Sequence, residues 1–162
     1  MESAENNYAF IDGQNLNLGI RALGWQLNYR KFRIYLREKY GATRAYLFVG
    51  FLPKYQKLYR HLEDAGFTLI FKTTVPDSNG NVKGNIDADM VLKSMIEFFN
   101  YDKALIVSND GDFHSLVDHL SVNNKLRLVL SPNKKYCSFL LRRAAKEKMQ
   151  FMDDLRAMLE YI

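Results

Sequence analysis

Short apolar runs alternate along this chain with longer segments in which apolar residues recur at helical spacing. Five runs are apolar on both faces, as strands in the middle of a parallel sheet are. They cover residues 8–11, 45–51, 68–71, 104–107 and 126–130. The alternation predicts an α/β fold in which helices cover a mostly parallel sheet.

The segments between these runs predict the helices. Within residues 29–40, Tyr29, Phe32 and Leu36 share one face, and Gly41 stands where the helix should end. Further helices are predicted at residues 54–65, 86–99, 113–120 and 136–148, with a short one after residue 153. Turn-forming residues at 76–84, with Asn79-Gly80 in their midst, predict a small hairpin before the helix at 86–99.

Composition narrows the class of protein. With 162 residues, 48% of them hydrophobic, the chain suits one globular domain over residues 1–162 that buries its core without disulfides. The single cysteine, Cys137, cannot form an internal disulfide, so a reducing cytoplasm is the expected location. The longest apolar stretch, residues 45–52, falls far short of the roughly 20 residues that cross a bilayer, so we expect no membrane insertion.

Charge points to a polyanionic partner once its distribution is considered. The chain has 23 basic and 18 acidic residues, a formal net charge of +5. Five of the acidic residues stand in short local clusters: Asp12, Asp87, Asp89, Asp110 and Asp112. If they gather in one place, the remaining 13 acidic residues face 23 basic ones, and the rest of the surface is strongly basic.

Two of these clusters directly follow predicted strands. Asp12 comes after the first strand, whereas Asp110 and Asp112 come after the fourth. Right-handed crossovers and a strand order of 3-2-1-4-5 would make these two strands neighbours, at the edge where open parallel sheets bind ligands. We therefore expect the three aspartates to face one another.

The helix predicted at residues 86–99 starts from the same edge. Its phase places Asp87 with Met90 and Ser94 on the packed side, whereas Asp89 shares a polar stripe with Lys93. We expect Asp87 to point inward and Asp89 to pair with Lys93 in solvent.

Carboxylates brought together repel one another unless a cation neutralises them. Mg²⁺ binds carboxylates, phosphate oxygens and water, and such a site suits hydrolysis of a phosphodiester bond. The alternative is structural, because aspartate is a common helix cap and Asp-Gly is an ordinary turn. Capping alone does not explain four aspartates at one sheet edge.

Three motifs together resemble the NYN domain, in particular its LabA-like bacterial branch within the PIN-like nuclease superfamily. They are FIDGQNL at residues 10–16, KGNID at 83–87 and VSNDGDF at 107–113, and the resemblance spans about residues 8–130. It implies a three-layer α/β/α sandwich and a site that holds Mg²⁺ or Mn²⁺ for RNA cleavage. The matching acidic positions are Asp12, Asp87, Asp110 and Asp112, with Asn15 and Ser108 as the matching polar residues.

One residue departs from the family's pattern. The family usually reads Ser-Gly-Asp-Gly-Asp, and Asn109 stands in place of the first glycine. Asparagine tolerates left-handed backbone better than most residues, so we expect the turn to survive.

Candidate RNA contacts lie outside the acidic cluster. Lys83 precedes the glycine of the second motif and could contact a substrate phosphate. Two basic stretches, at residues 30–39 and 134–148, could follow a nucleic-acid backbone, and the second of them contains Arg142 and Arg143. Solvated charges are the alternative for all of them. Four aromatic residues could stack on unpaired bases or pack in the core instead: Trp25, Tyr29, Phe51 and Tyr55.

The leading hypothesis is a metal-dependent ribonuclease that cleaves single-stranded or structured RNA by attack of water on a phosphodiester. The alternative is an RNA-binding or regulatory module of the same fold with little or no nuclease activity. A homo-oligomer is left open. A phosphatase with a nucleophilic aspartate is disfavoured, because Asp12-Gly13-Gln14 lacks the Asp-x-Asp pattern.

Overall fold

A computed structural model of the chain describes residues 4–72, 75–76, 78–79, 82–83 and 86–162. Eight strands form in the described part. They are β1 (Asn7–Asp12), β2 (Ala42–Gly50), β3 (Thr68–Lys72), β4 (Val75–Pro76), β5 (Val82–Lys83), β6 (Ala104–Val107), β7 (Leu126–Ser131) and β8 (Met149–Phe151). Strands β4 and β5 pair antiparallel with each other, and the other six make the central sheet.

The central sheet is parallel throughout, with the order β3-β2-β1-β6-β7-β8. The predicted order of the five long strands is therefore confirmed, and β8 adds a sixth strand at the edge beside β7. Sequence analysis missed β8, because three residues are too few to form a distinct apolar run. The antiparallel pairing of β4 with β5 agrees with the hairpin expected at residues 76–84, whose Asn79-Gly80 turn lies partly outside the described residues.

Seven α-helices surround the sheet in the described part of the chain. They are α1 (Gly13–Ala22), α2 (Tyr29–Tyr40), α3 (Gln56–Asp64), α4 (Ile86–Ile96), α5 (His114–Val122), α6 (Phe139–Ala145) and α7 (Arg156–Leu159). Helix α2 has the predicted bounds and ends at Gly41, whose φ of 68° suits glycine. Helix α6 is shorter than predicted, because 3-10 turns replace both of its ends.

Helix α1 was not predicted, because its sequence is rich in glycine and asparagine, which are poor helix formers. The fold needs those glycines. A Cβ on Gly13 would lie 2.7 Å from Cγ1 of Val49, and one on Gly19 would lie 2.8 Å from Cβ of Pro132. Close packing against the ends of the strands therefore stabilises α1 in spite of its weak propensity.

Two apolar cores lie on opposite faces of the sheet. Ala9 and Ile11 of β1 pack under α1, α2, α3 and α7, whereas Tyr8 and Phe10 pack under α4, α5 and α6. The predicted three-layer α/β/α sandwich is thus confirmed. Among the described residues, no helix is both long and apolar enough to cross a membrane.

Candidate functional site

Three acidic side chains meet at the carboxyl edge of the sheet. Asp12 ends β1, Asp110 follows β6, and Asp87 lies in the first turn of α4. One carboxylate oxygen from each residue lies within 4.8 Å of the other two. The structure thus brings Asp12 and Asp110 together, as expected from the neighbouring positions of β1 and β6, and Asp87 joins them from α4. Asp112, which was expected to face Asp12, is not part of this group.

The aspartates line a cavity of about 260 Å³. Its walls come from α1, α4, the end of β3 and the loop after β6. The lining residues are Asp12, Gln14, Asn15, Leu18, Lys72, Ile86, Asp87 and Asp110. The cavity is open to solvent on one side, since Gln14 and Leu18 are exposed.

Ser108 links the two strand ends. Its buried hydroxyl donates to Oδ2 of Asp12 at 3.3 Å and accepts the backbone N–H of Asp110 at 3.0 Å. Asp12 also caps α1 by accepting from the N–H of Asn15 at 3.2 Å, and Asp110 caps the following 3-10 turn in the same way. Asp12 and Asp110 are therefore both helix caps and members of the acidic cluster. Their capping hydrogen bonds fix the directions in which the two carboxylates point.

Asn15 and Asn109 hold the loop after β6. Asn15 accepts the N–H of Asn109 with its side-chain oxygen at 2.7 Å. The side-chain oxygen of Asn109 accepts in turn from the Ser131 hydroxyl and from the N–H of Asn133. Asn109 does not have a positive φ, so the argument from left-handed backbone was wrong for this residue. It fits this position because its amide ties the loop to β7.

The close packing of the acids changes their protonation. Burial, followed by the negative charges of Asp110 and Asp12, raises the pKa of Asp87 to about 7. Burial also raises the pKa of Asp12, although its hydrogen bonds from Asn15 and Ser108 oppose the rise. Burial and mutual repulsion therefore disfavour the charged carboxylates, and a bound cation would favour them.

The two remaining acids of the predicted set are both exposed. Asp112 lies in the 3-10 turn Gly111–Phe113, and its side chain hydrogen-bonds with that of Asp87. Asp89 points into solvent, as predicted from the helix phase. Its predicted pairing partner is wrong, because Lys93 pairs with Glu97 at 2.9 Å instead. Glu97 is also held by Asn100 at 2.8 Å, which places its carboxylate near Lys93.

The predicted RNA contacts differ in how they are placed. The side chain of Lys83 lies outside the described residues. Arg143 is exposed, whereas the guanidinium of Arg142 donates to the Lys134 carbonyl at 2.5 Å and lies 5.1 Å from the ring centre of Phe151. The Arg142 side chain therefore makes contacts within the domain, whereas that of Arg143 is exposed to solvent.

The four candidate aromatic residues divide into two pairs. Trp25 is buried and Tyr29 packs against the same core, so neither is available for stacking on bases. Phe51 and Tyr55 are 41% and 42% exposed. Only the second pair remains accessible to a ligand.

Sequence reasoning did not select Lys72, which lines the cavity and whose positive charge opposes the rise in the pKa of Asp12. A signal was present in its position. Lys72 ends β3 just as Asp12 ends β1, so both side chains project from the carboxyl edge of one parallel sheet.

A model of the NYN domain family matches residues 8–153. The chain belongs to the NYN domain family. This NYN domain is similar to the low amplitude and bright protein LabA of Synechococcus elongatus. The two are 27% identical over 161 aligned residues, which cover 93% of this chain and 86% of that protein.

The fold also occurs in a solved structure. A crystal structure of a protein of unknown function from Vibrio parahaemolyticus superposes with a TM-score of 0.82 at 23% sequence identity. The match covers 98% of this chain and 99% of that one, and it shows the shared fold. NYN domains are nuclease domains that act on nucleic acid, so family membership supports RNA as a partner and a divalent metal at the acidic cluster.

Proposed function

We propose that this NYN domain, acting as a single domain over residues 1–162, is a metal-dependent ribonuclease. One observation carries the proposal: the carboxylate oxygens of Asp12, Asp87 and Asp110 lie within 4.8 Å of one another at the carboxyl edge of the sheet. Repulsion among them makes this arrangement costly for the protein alone, and a divalent cation removes that cost.

The donor set fits a hard cation, because every candidate ligand atom is an oxygen. Asp12, Asp87 and Asp110 would hold Mg²⁺ or Mn²⁺, with Asp112 beside Asp87. Such an ion lowers the pKa of a bound water and stabilises charge on a scissile phosphate. The Ser108 hydroxyl and the backbone N–H of Asn15 orient the Asp12 carboxylate, and the Asn15 side chain holds the loop that carries Asp110.

The substrate in this proposal is single-stranded or structured RNA in the cytoplasm. Lys72 lines the cavity and would contact a phosphate next to the cleaved bond. Arg143 is exposed and would bind the RNA backbone together with Lys83. Arg142, which packs on Phe151, would support Arg143 by ordering α6.

The test is incubation of the purified protein with a mixture of RNAs in Mg²⁺, in Mn²⁺ or in EDTA. Asp87→Asn removes one carboxylate from the cluster, and Asp89→Asn is its matched control, because Asp89 lies two residues away on the same helix and is exposed. We expect metal-dependent cleavage that Asp87→Asn abolishes and Asp89→Asn retains. Cleavage in EDTA would indicate a contaminant, and metal-independent binding without cleavage would favour the regulatory module.

A further inference from the structure

Exposed aromatic rings lie at the same carboxyl edge of the sheet as the acidic cavity, at the ends of β2 and β3. We define the stacking patch as Phe51, Tyr55 and Phe71, which are 41%, 42% and 38% exposed. Phe51 and Phe71 lie edge to face, with their ring centres 5.3 Å apart, and both contact the buried Tyr59. Phe51 and Phe71 thus form one partly exposed apolar surface, and Tyr55 follows four residues after Phe51, where its N–H donates to the Leu52 carbonyl. Exposed aromatic surface of this kind indicates an interaction site.

The backbone around Phe51 is held in place. The Tyr59 hydroxyl donates to the Gly50 carbonyl at 3.1 Å and accepts the Leu52 N–H at 2.9 Å, so it fixes the residues on both sides of Phe51. The Phe51 ring then lies at 28° to the Tyr59 ring, with centres 5.8 Å apart. A ring fixed before binding loses little conformational entropy when a ligand stacks on it.

The paired ends of β2 and β3 connect the patch to the acidic cavity. Gly50 pairs with Lys72 in the sheet, and Lys72 lines the cavity. Because side chains alternate along a strand, Phe71 projects from the opposite face. The start of α1 packs against Val49 at the end of β2, directly next to Asp12. The patch and the candidate metal ligands therefore share the carboxyl edge of the sheet but lie on its opposite faces, so an RNA strand that reaches both must cross that edge.

The charges around the patch are positive. Lys54 and Lys57 are exposed near the start of α3, and Nζ of Lys54 lies 5.0 Å from the ring centre of Tyr55. Lys72 adds a third positive charge at the end of β3. The acidic residues of α3, Glu63 and Asp64, are at its far end. Aromatic faces among lysines match the two parts of a single nucleic-acid strand, its bases and its phosphates.

We propose that the stacking patch binds unpaired bases of single-stranded RNA that flank the bond to be cleaved. The location of that bond rests on the proposed function, whereas the binding itself does not. A duplex hides its bases, so the patch selects single-stranded substrate over double-stranded RNA.

The test measures the affinity of the protein in EDTA for a fluorescein-labelled 12-nucleotide single-stranded RNA without secondary structure and for the matching duplex. The variants are Phe51→Ala, Tyr55→Ala and the conservative Tyr55→Phe, with Phe99→Ala as the control. Phe99 is 92% exposed and follows α4, away from the carboxyl edge. We expect both alanine variants in the patch to weaken single-strand binding on the order of tenfold, because each removes one stacking face. Tyr55→Phe and Phe99→Ala retain wild-type affinity.

Affinity for the duplex stays within about twofold in every variant, since duplex binding depends on phosphate contacts. Equal losses for single strand and duplex, or no loss in either alanine variant at an unchanged melting temperature, would overturn the proposal. So would a monomer–dimer equilibrium that Phe51→Ala shifts while RNA affinity stays constant, because the patch would then join two copies of the chain. Selective single-strand binding without any cleavage in Mg²⁺ or Mn²⁺ would support the patch and reject the nuclease. Metal-dependent cleavage, with single-strand affinity unchanged in the patch variants, would support the nuclease and reject the patch.

Discussion

The side-chain oxygen of Asn15 lies 2.7 Å from the backbone nitrogen of Asn109 and accepts its hydrogen bond. Asn15 belongs to α1, directly after Asp12, whereas Asn109 belongs to the loop that carries Asp110. This hydrogen bond, between residues 94 positions apart in the chain, therefore helps to set the separation of the candidate metal ligands Asp12 and Asp110.

Loss of this bond should weaken metal binding although Asn15 is not proposed as a ligand. We expect Asn15→Ala to reduce Mn²⁺ affinity by about 10- to 100-fold, as loss of a group that orients metal ligands does. Asn15→Asp retains the acceptor and should lose less. Calorimetric titration with Mn²⁺ measures both, and Asn17→Ala, an exposed change on the same helix, is the control. Wild-type affinity in Asn15→Ala would reject the positioning role.

Divalent metal should stabilise the fold. A ligand that binds only the native state raises the free energy of unfolding by mass action, here by about 2.7 kcal/mol at a metal concentration of 100 times Kd. We expect millimolar Mg²⁺ or Mn²⁺ to raise the melting temperature of the wild type and of Asp89→Asn, but not of Asp12→Asn. A wild-type melting temperature that is indifferent to both metals would contradict a metal site.

The pH dependence of metal-free stability should reveal the crowded carboxylates. The pKa of Asp87 is raised to about 7 in the folded protein, above its ordinary value of about 3.9 in an unfolded chain. The folded state therefore binds a proton that the unfolded state releases. This contribution to stability is fully present below about pH 4 and is lost as pH rises through about 7.

Urea unfolding in EDTA at pH 5 and pH 8 measures this effect. We expect the wild type to lose more of its free energy of unfolding between these two values than Asp87→Asn does, because the asparagine variant has no proton to lose at this position. Asp89→Asn should follow the wild type. Identical pH profiles for the wild type and Asp87→Asn would show that Asp87 is not crowded by its neighbours.

The sequence predicts the sheet well because parallel strands buried on both faces leave continuous apolar runs. The predicted order of strands places Asp12 next to Asp110, and the helix phase separates the inward Asp87 from the exposed Asp89. These features depend on local pattern and on the handedness of crossovers, both of which are visible in one dimension.

What the sequence did not reveal depends on long-range packing. Helix α1 forms because Gly13 and Gly19 let it approach Val49 and Pro132, which no local propensity indicates. The hydrogen bonds of Asn109 to Ser131 and Asn133 join residues more than 20 positions apart. Lys72 lines the acidic cavity because β3 ends beside it, a position that depends on how the strands pair in the sheet.

RNA binding and cleavage should separate in one variant. Asp110→Asn keeps an oxygen that can cap the 3-10 turn, so the loop should hold its shape, but it removes a candidate ligand and one negative charge beside the phosphate. We expect this variant to lose metal-dependent cleavage and to bind RNA as tightly as the wild type or more tightly. A matched loss of binding and cleavage would mean that Asp110 mainly supports the fold.

The same binding should weaken steeply with salt, because each cationic side chain on a phosphate releases counterions. In single-stranded RNA the slope of log affinity against log salt is about −0.7 per phosphate contact. Arg143→Glu should therefore lower affinity and make the slope shallower by roughly one contact.

Arg21→Glu is the control, since Arg21 is exposed at the far end of α1, away from the carboxyl edge. Fluorescence titrations in EDTA at three or more salt concentrations give both numbers. A slope that is equal for Arg143→Glu and the wild type would remove Arg143 from the RNA-binding surface, and an affinity independent of salt would replace RNA with an uncharged partner.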